Sequence, residues 1–171
     1  MTETEVKYRL EGPQEHDRLR ARLQELGARG EPLRRETNLR FDTRKGKLKR
    51  RGRALRLRAV DHAIEARLTL KGRAARNEGL KHRHEIEVDV SDIRQMLALL
   101  GGLGFHVVAT YTKLREPWYL EGVEITLDTL DVGWFCELEG TIAAIGRVAE
   151  QLGLSDRAPE RRSYPELSRV G

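Results

Sequence analysis

TETEVKYRL, the stretch from Thr2 to Leu10, alternates charged and apolar side chains along a single segment. Glu3, Glu5 and Lys7 stand at every second position, with mostly apolar residues between them. Because side chains two residues apart in a β-strand share a face, this pattern predicts two carboxylates and an ammonium on one face and apolar groups on the other. Such a charged face is either solvated or built to hold a charged ligand.

The same alternation recurs along the rest of the chain and predicts about eight strands. The polar side chains that share a face, segment by segment, are Arg56 with Arg58; Arg67 with Thr69 and Lys71; Arg83 with Glu85, Glu87 and Asp89; Lys113 with Arg115; Glu124 with Thr126 and Asp128; and Glu137 with Glu139. The commonest source of such a pattern is an antiparallel sheet with one solvated face. The dominance of Arg, Lys, Glu and Asp lowers the weight of that explanation for the whole set. If the sheet closes into a barrel, the charged faces line an interior that has room for side chains or one small ligand.

Apolar residues at helical spacing predict three helices that pack on the apolar faces of the strands. The first covers residues 14–26 and ends at Gly27, the second follows Ser91 as its N-cap, and the third starts near Thr141. The basic, glycine-containing stretch KGKLKRRGR at 45–53 and the stretch 73–79 are predicted to be loops.

Composition limits the class of protein. With 171 residues, of which 39% are hydrophobic and 35% charged, the chain fits one domain with a substantial core. Cys136 is the single cysteine, so an internal disulfide is excluded. The chain has no apolar run of transmembrane length, and its charged N-terminus is unlike a secretion signal, so we expect a cytoplasmic protein without a membrane partner.

Cations and carboxylates that sit on different strands suit a polyanion that is bound together with a metal ion. Six basic residues can surround a triphosphate, which carries roughly four negative charges near neutral pH; they are Lys7, Arg56, Arg58, Lys71, Lys113 and Arg115. Carboxylates would repel that anion unless a cation lay between them, and their hard oxygens suit Mg²⁺ or Mn²⁺. The mixture therefore predicts phosphate binding on some strands and metal binding on others, as in phosphoryl transfer generally.

The chain resembles the CYTH superfamily, also called triphosphate tunnel metalloenzymes. The resemblance rests on Glu3-x-Glu5-x-Lys7 and on the ordered blocks NLRFDT, ALRLR, LTLKG, RHEIEV, KLR, LDTLDVGWFCELEG and SYPEL, which together cover nearly the whole chain. The family includes class IV adenylate cyclases, thiamine triphosphatases and inorganic triphosphatases. The resemblance implies a single CYTH domain over residues 1–171 with an α+β fold: an eight-stranded antiparallel closed β-barrel, the triphosphate tunnel, with helices packed outside.

The resemblance also implies the site residues. The phosphate ligands would be Lys7, Arg56, Arg58, Lys71, Arg83, Lys113 and Arg115, with Arg40 as a further contact. The ligands of Mg²⁺ or Mn²⁺ would be Glu3, Glu5, Glu85, Glu87, Asp128, Glu137 and Glu139. Glu3, Glu5 and Lys7 would form the catalytic group, in which one of the two carboxylates orients or deprotonates the attacking water.

The favoured function is metal-dependent hydrolysis of inorganic tripolyphosphate or an organic triphosphate. One alternative is a class IV adenylate cyclase, in which the ribose 3′-hydroxyl attacks the α-phosphorus of ATP to give cyclic AMP and pyrophosphate. The other is a non-catalytic module that binds polyphosphate or nucleotide. Ala54 disfavours thiamine triphosphate, because the thiamine triphosphatases resembling this chain tend to carry Trp at that position.

The expected partner is a small-molecule triphosphate or ATP. The basic stretch at 45–53 would lie at the rim of the tunnel, where it would steer anionic substrates rather than bind nucleic acid. The chain is expected to be a monomer or a homodimer.

Overall fold

A computed structural model of the chain describes residues 2–61, 66–77 and 80–168, and for Arg76 and Asn77 only the backbone. The elements are β1 Thr2–Arg9, α1 Pro13–Glu25, β2 Arg29–Gly30, β3 Arg34–Thr43, α2 Lys47–Arg50, β4 Ala54–Val60, β5 Ala66–Lys71, β6 Ala75–Asn77, β7 Leu80–Val90, α3 Ile93–Gly102, β8 Phe105–Leu120, β9 Val123–Leu130, β10 Gly133–Glu139, α4 Ile142–Gln151 and α5 Tyr164–Leu167. None of the helices that the structure describes has the length and apolar character needed to cross a bilayer.

The strands form one antiparallel sheet in the order β1-β10-β9-β8-β3-β4-β5-β7-β6, and β1 also pairs with β7, while β2 pairs with β8. The pairing of β1 with β7 closes eight of these strands into an antiparallel barrel, and β6 and β2 are not part of that ring. The fold is α+β with the helices outside the barrel, which confirms the predicted class. The three predicted helices correspond to α1, α3 and α4.

The chain divides into two compact units, each assembled from separate segments. Unit 1 contains residues 1–2, 35–75 and 83–112, and unit 2 contains residues 3–34, 76–82 and 113–171. The expectation of a single domain over residues 1–171 stays a prediction.

The core of unit 2 lies on the apolar face of β1, β9 and β10, under α1 and α4. Val6 pairs with Leu138, and Leu138 pairs with Ile125, so one apolar row crosses three strands. All three side chains are at most 4% exposed. Cys136 is also buried in this core as a free thiol, and burial raises the pKa of that thiol.

The core of unit 1 lies on the apolar face of β3, β4, β5 and β7, against α3. It consists of Phe41, Leu55, Leu57, Ala66, Val90 and Leu100. Helix α3 begins one residue later than predicted, because the carboxylate of Asp92, not the hydroxyl of Ser91, accepts a hydrogen bond from the backbone N–H of Gln95 at 3.0 Å.

The two stretches that were predicted to be loops each contain a short element. Lys47–Arg50 forms α2, because the carboxylate of Asp42 accepts the backbone N–H groups of Leu48 and Lys49, each at 2.9 Å. The loop prediction was therefore wrong for these residues. In the stretch 73–79, Ala75–Asn77 forms β6, and residues 78–79 lie outside the described residues.

Candidate functional site

Three carboxylates form a row across the polar face of unit 2. Glu5 on β1 pairs in register with Glu139 on β10, and Glu139 pairs with Glu124 on β9. Like charges directly opposite each other on neighbouring strands destabilise a sheet. This row therefore needs a cation. In the structure, Lys81 on β7 forms an ion pair with Glu5, and both side chains are about a quarter exposed, at 26% and 24%.

A small cavity adjoins this row. Its volume is about 20 Å³, close to the space that one water molecule or ion requires. It is lined by Glu5, Arg115, Glu124, Thr126, Glu137 and Glu139. Thr126 is only 3% exposed, and its hydroxyl has no hydrogen-bond partner within the described part of the chain.

The donor set of this cavity fits a hard divalent cation. Carboxylate and hydroxyl oxygens are ligands that Mg²⁺ and Mn²⁺ accept, and an orphaned buried hydroxyl offers an additional oxygen. Among the described residues, no three His, Cys, Asp or Glu side chains already converge as a ready-made metal centre. The carboxylates therefore suit a metal by their chemistry, while their spacing here is that of cross-strand neighbours.

Two buried cations lie on β8, the strand that pairs with β9 at the end of the carboxylate row. The ammonium of Lys113 donates to Asp128 at 3.0 Å, and Arg115 donates to Asp128 through Nε at 2.8 Å and Nη2 at 2.6 Å. Arg115 Nη2 also contacts Glu137 at 2.6 Å. Lys113 and Arg115 are 3% and 8% exposed, so both cations are buried.

Asp128 is engaged with these cations rather than open to a metal ion. It is fully buried, and burial alone would raise the pKa of its carboxyl. The charges of Arg115 and Lys113, together with the hydrogen bonds to Asp128, outweigh that effect and hold the pKa well below its usual range. Its predicted role as a metal ligand stays a prediction, and the contacts present assign it the task of orienting Lys113 and Arg115.

The C-terminal segment places an aromatic ring among the same groups. The hydroxyl of Tyr164, the first residue of α5, donates to Asp128 at 2.8 Å. The ammonium of Lys7 lies 4.2 Å from the centre of the Tyr164 ring, and that of Lys113 lies 5.2 Å from it. Tyr164 therefore contacts both lysines that were predicted to bind phosphate in unit 2.

Two backbone contacts hold the segment that carries this ring. The backbone N–H of Glu160 donates to the carbonyl of Lys7 at 2.7 Å. At the start of α5, the N–H of Ser163 donates to the carboxylate of Glu166 at 2.7 Å, as in a capping box. These two contacts hold the backbone of the segment in which Tyr164 lies.

Replacement of Tyr164 by Phe is expected to reduce stability while keeping the ring under Lys7. The hydroxyl is the group that donates to Asp128, and its loss leaves a charged acceptor short of one hydrogen bond, which costs about 1 to 3 kcal/mol. The free energy of unfolding in urea measures the effect. Tyr164→Leu, which also removes the contact between ring and ammonium, should cost more.

Tyr119 offers a matched control for this change. Its ring contacts the guanidinium of Arg29 at 4.4 Å, and the residue is half-buried. Tyr119→Phe should leave the free energy of unfolding nearly unchanged. An equal loss in both variants would show that Tyr164 contributes only as a buried aromatic residue.

The polar face of unit 1 carries a second group of cations, each opposite a polar residue on the next strand. Lys71 pairs in register with Glu85 and forms an ion pair with it, and their side chains are 15% and 3% exposed. Arg56 pairs with Thr69, whose hydroxyl donates to Glu87 at 2.6 Å.

Arg58 is the third predicted phosphate ligand on this face. It lies 3.9 Å from the carboxylate of Glu36, a residue with no exposed surface. Arg40, the further phosphate contact that was predicted, pairs in register with Arg56 on the neighbouring strand.

The structure therefore distributes the predicted residues over two faces, each within its own unit. Unit 1 holds Arg40, Arg56, Arg58, Lys71, Arg83, Glu85 and Glu87; unit 2 holds Glu3, Glu5, Lys7, Lys113, Arg115, Asp128, Glu137 and Glu139. Their roles as phosphate or metal ligands stay predictions. Four contributors were not predicted as site residues: Glu36, Glu124, Thr126 and Tyr164. Alternation placed Glu124 and Thr126 on a polar face without assigning them a role, and could have found Glu36 in the same way, but Tyr164 meets Asp128 only through the fold.

Comparison with known proteins assigns the family. A model of the CYTH domain matches residues 1–164. A Methanocaldococcus jannaschii protein that is provisionally named an adenylate cyclase is 33% identical over 98 residues, which cover 51% of this chain and 56% of that protein. The chain thus spans little more than half the length of this curated relative.

Solved structures share the fold along nearly the whole chain. A protein of Pyrococcus horikoshii is 28% identical, with a TM-score of 0.81 and coverage of 98% of each chain. A Hippeastrum protein, provisionally named an adenylyl cyclase and described as revealing a dominant triphosphatase activity, is 24% identical. Its TM-score is 0.78, and the match covers 99% of this chain and 96% of that one. With its Glu3-x-Glu5-x-Lys7 strand and a family match over residues 1–164, the chain belongs to the CYTH family.

Proposed function

We propose that this protein hydrolyses a triphosphate, either inorganic tripolyphosphate or an organic triphosphate, with the help of Mg²⁺ or Mn²⁺. The observation that carries the proposal is the arrangement of unit 2, where a carboxylate row on β1, β10 and β9 is followed on the next strand, β8, by the buried cations Lys113 and Arg115. Glu5 and Lys7 are two residues apart on β1, as are Glu137 and Glu139 on β10. Two residues of a strand span about 7 Å, so a metal ion and a phosphate group fit side by side along it.

In unit 2 we assign metal and water binding to the carboxylates and phosphate binding to the cations. A divalent metal held by Glu5 and Glu139 would polarise a phosphoryl oxygen when bound. Glu5 or Glu3 would orient the attacking water and accept its proton. Lys113 and Arg115, oriented by Asp128, would stabilise the charge that develops on the phosphoryl oxygens.

Lys7 is suited to respond to an anion. Burial lowers the pKa of its ammonium, and nearby Glu137 opposes that effect. A phosphate group beside Lys7 would raise the pKa again, since an added negative charge favours the protonated form. Substrate binding would therefore secure the positive charge that the reaction needs.

Adenylate cyclase is the second candidate. The name of the Methanocaldococcus relative favours it, and the same cations could hold ATP with its α-phosphorus facing the ribose 3′-hydroxyl. The dominant triphosphatase activity described for the Hippeastrum protein supports hydrolysis as the first choice. A cytoplasmic location and a monomeric or homodimeric state stay predictions.

An activity assay decides between these functions. The purified protein is incubated with tripolyphosphate or ATP, each with Mg²⁺, with Mn²⁺ or with EDTA. Release of orthophosphate that depends on the metal is the expected result. Cyclic AMP with pyrophosphate would establish the cyclase instead, and tight binding of either compound without turnover would establish a binding module.

A further inference from the structure

Asn38 lies on the polar face of unit 1 and has no exposed surface. Side chains at alternate positions of β3 share a face, so Asn38 lies on the same face as Glu36 and Arg40. On the neighbouring strand β4 it pairs in register with Arg58, one of the predicted phosphate ligands. The next pair on this face is Arg40 with Arg56.

The amide of Asn38 is buried without hydrogen bonds. Neither Oδ1 nor Nδ2 has a partner among the side chains and backbone groups that the structure describes. An amide offers two donor hydrogens and two acceptor lone pairs, and burying these groups unsatisfied opposes folding. An apolar side chain of similar size would fill the space without that cost. The chain nevertheless carries an amide here, which indicates that the amide forms its hydrogen bonds with a ligand when that ligand is bound.

The surroundings of Asn38 determine what it can bind. Arg40, Arg56 and Arg58 bring three guanidinium groups to the same face, and guanidinium groups favour phosphate oxygens. A fourth cation at position 38 would add repulsion among them, and a carboxylate would repel the anion they attract. A neutral amide adds a hydrogen-bond donor without changing the charge.

We propose that Asn38 is a phosphate-binding residue, whose Nδ2 donates a hydrogen bond to a phosphoryl oxygen held by Arg58. The inference rests on the proposed function, since it takes a triphosphate as the ligand. It extends the phosphate-binding set from charged residues to a neutral one on β3.

Two substitutions of nearly the same volume test the role of Asn38. Asn38→Leu removes the amide, and we expect it to weaken the binding of tripolyphosphate about tenfold, the loss of one hydrogen bond to a charged group. The Tm of the ligand-free protein should stay equal or rise, because the unsatisfied amide is gone. Asn38→Asp should fold as well, since Arg58 lies opposite, and should weaken binding more than Asn38→Leu because its carboxylate repels phosphate.

Calorimetric titration with tripolyphosphate in EDTA measures binding without turnover. Thr37→Val is the control, because Thr37 stands on the opposite face of the same strand and should change neither affinity nor Tm. Equal affinity of Asn38→Leu and wild type would overturn the inference, as would a fall in Tm with unchanged affinity.

The same titration keeps this inference apart from the proposed hydrolysis. A wild-type protein that binds tripolyphosphate more tightly than Asn38→Leu but does not turn it over would support the role of Asn38 and refute hydrolysis. A wild-type protein that turns tripolyphosphate over, with Asn38→Leu binding equally well, would refute the role of Asn38 alone. Absence of binding to the wild type would overturn both.

Discussion

Asp128→Asn is expected to be among the most destabilising single substitutions in this protein. The carboxylate is fully buried and receives hydrogen bonds from Lys113, Arg115 and Tyr164. Its neutralisation removes a buried negative charge that Lys113 and Arg115 both contact, and Arg115 keeps only its contact with Glu137 among the two carboxylates; breaking such a buried ion pair costs about 3 to 5 kcal/mol. For a chain of this size the Tm should fall by roughly 10 °C. Thermal unfolding followed by circular dichroism measures the change.

A surface aspartate provides the matched control. Asp17 forms an ion pair with Arg20 at 2.8 Å, but its side chain is 67% exposed. Asp17→Asn should therefore cost less than about 1 kcal/mol. A similar loss in both variants would contradict the claim that burial makes the Asp128 contacts indispensable.

The pH dependence of the Asp128 effect has a definite direction. The pKa of this carboxyl is held well below its usual range in the folded protein, so its contribution to stability is fully present above the unfolded pKa, about 3.9. That contribution is lost as the pH falls through the folded value. The difference in unfolding free energy between wild type and Asp128→Asn should thus be constant from neutral pH down to about pH 5 and shrink only in stronger acid. A difference that already shrinks near pH 6 would assign the effect to another group.

Alternation along each strand was enough to predict which side chains share a polar face. The period of two is a local property, so Glu5 and Lys7 could be assigned to one face of β1 without any knowledge of the neighbours. The register between strands is not local, because it depends on pairing between segments far apart in the chain. The row of Glu5, Glu139 and Glu124 therefore appears only in the structure. This row is also what makes the need for a cation at this point physically explicit.

Residues that act through tertiary contacts, and residues that carry no charge, could not be predicted from the sequence, for different physical reasons. Tyr164 meets Asp128 from a position 36 residues away, and no period in the sequence links the two. Asn38 stands on a face dominated by charged groups, where a neutral amide gives no signal until its burial is known. Helix α2 was missed because its N-terminus is capped by Asp42, a residue outside the basic stretch that was read as a loop.

Glu5→Gln is expected to reduce turnover of tripolyphosphate about 10³-fold while leaving its binding largely intact. The substitution removes a carboxylate that would hold the metal and handle the attacking water, but it removes no phosphate donor. It breaks the partly exposed ion pair with Lys81 but relieves the repulsion with Glu139 across the strand pair, so the two effects offset each other and the metal-free protein should show no large fall in Tm. Turnover is measured by phosphate release, and binding by calorimetry in EDTA.

A measurement of metal binding distinguishes the loss of a metal ligand in Glu5→Gln from a general disturbance of the fold. Mn²⁺ should raise the Tm of the wild type by mass action, and this shift should largely disappear in Glu5→Gln. Glu25→Gln is the control, since Glu25 lies in a surface ion pair with Arg22 and its side chain is 65% exposed.

The reverse pattern is expected for Arg58→Ala, which removes a predicted phosphate donor and keeps the metal carboxylates. Its affinity for tripolyphosphate should fall at least tenfold, since a charge-assisted hydrogen bond to phosphate is lost, while the Mn²⁺-dependent shift in Tm persists. If carboxylates bind the metal and cations bind phosphate, Glu5→Gln should lose metal binding and keep its affinity for tripolyphosphate, and Arg58→Ala should do the reverse. If Glu5→Gln lost as much affinity for tripolyphosphate as Arg58→Ala, Glu5 would belong to the binding of the anion itself, and its assignment to metal and water would be wrong.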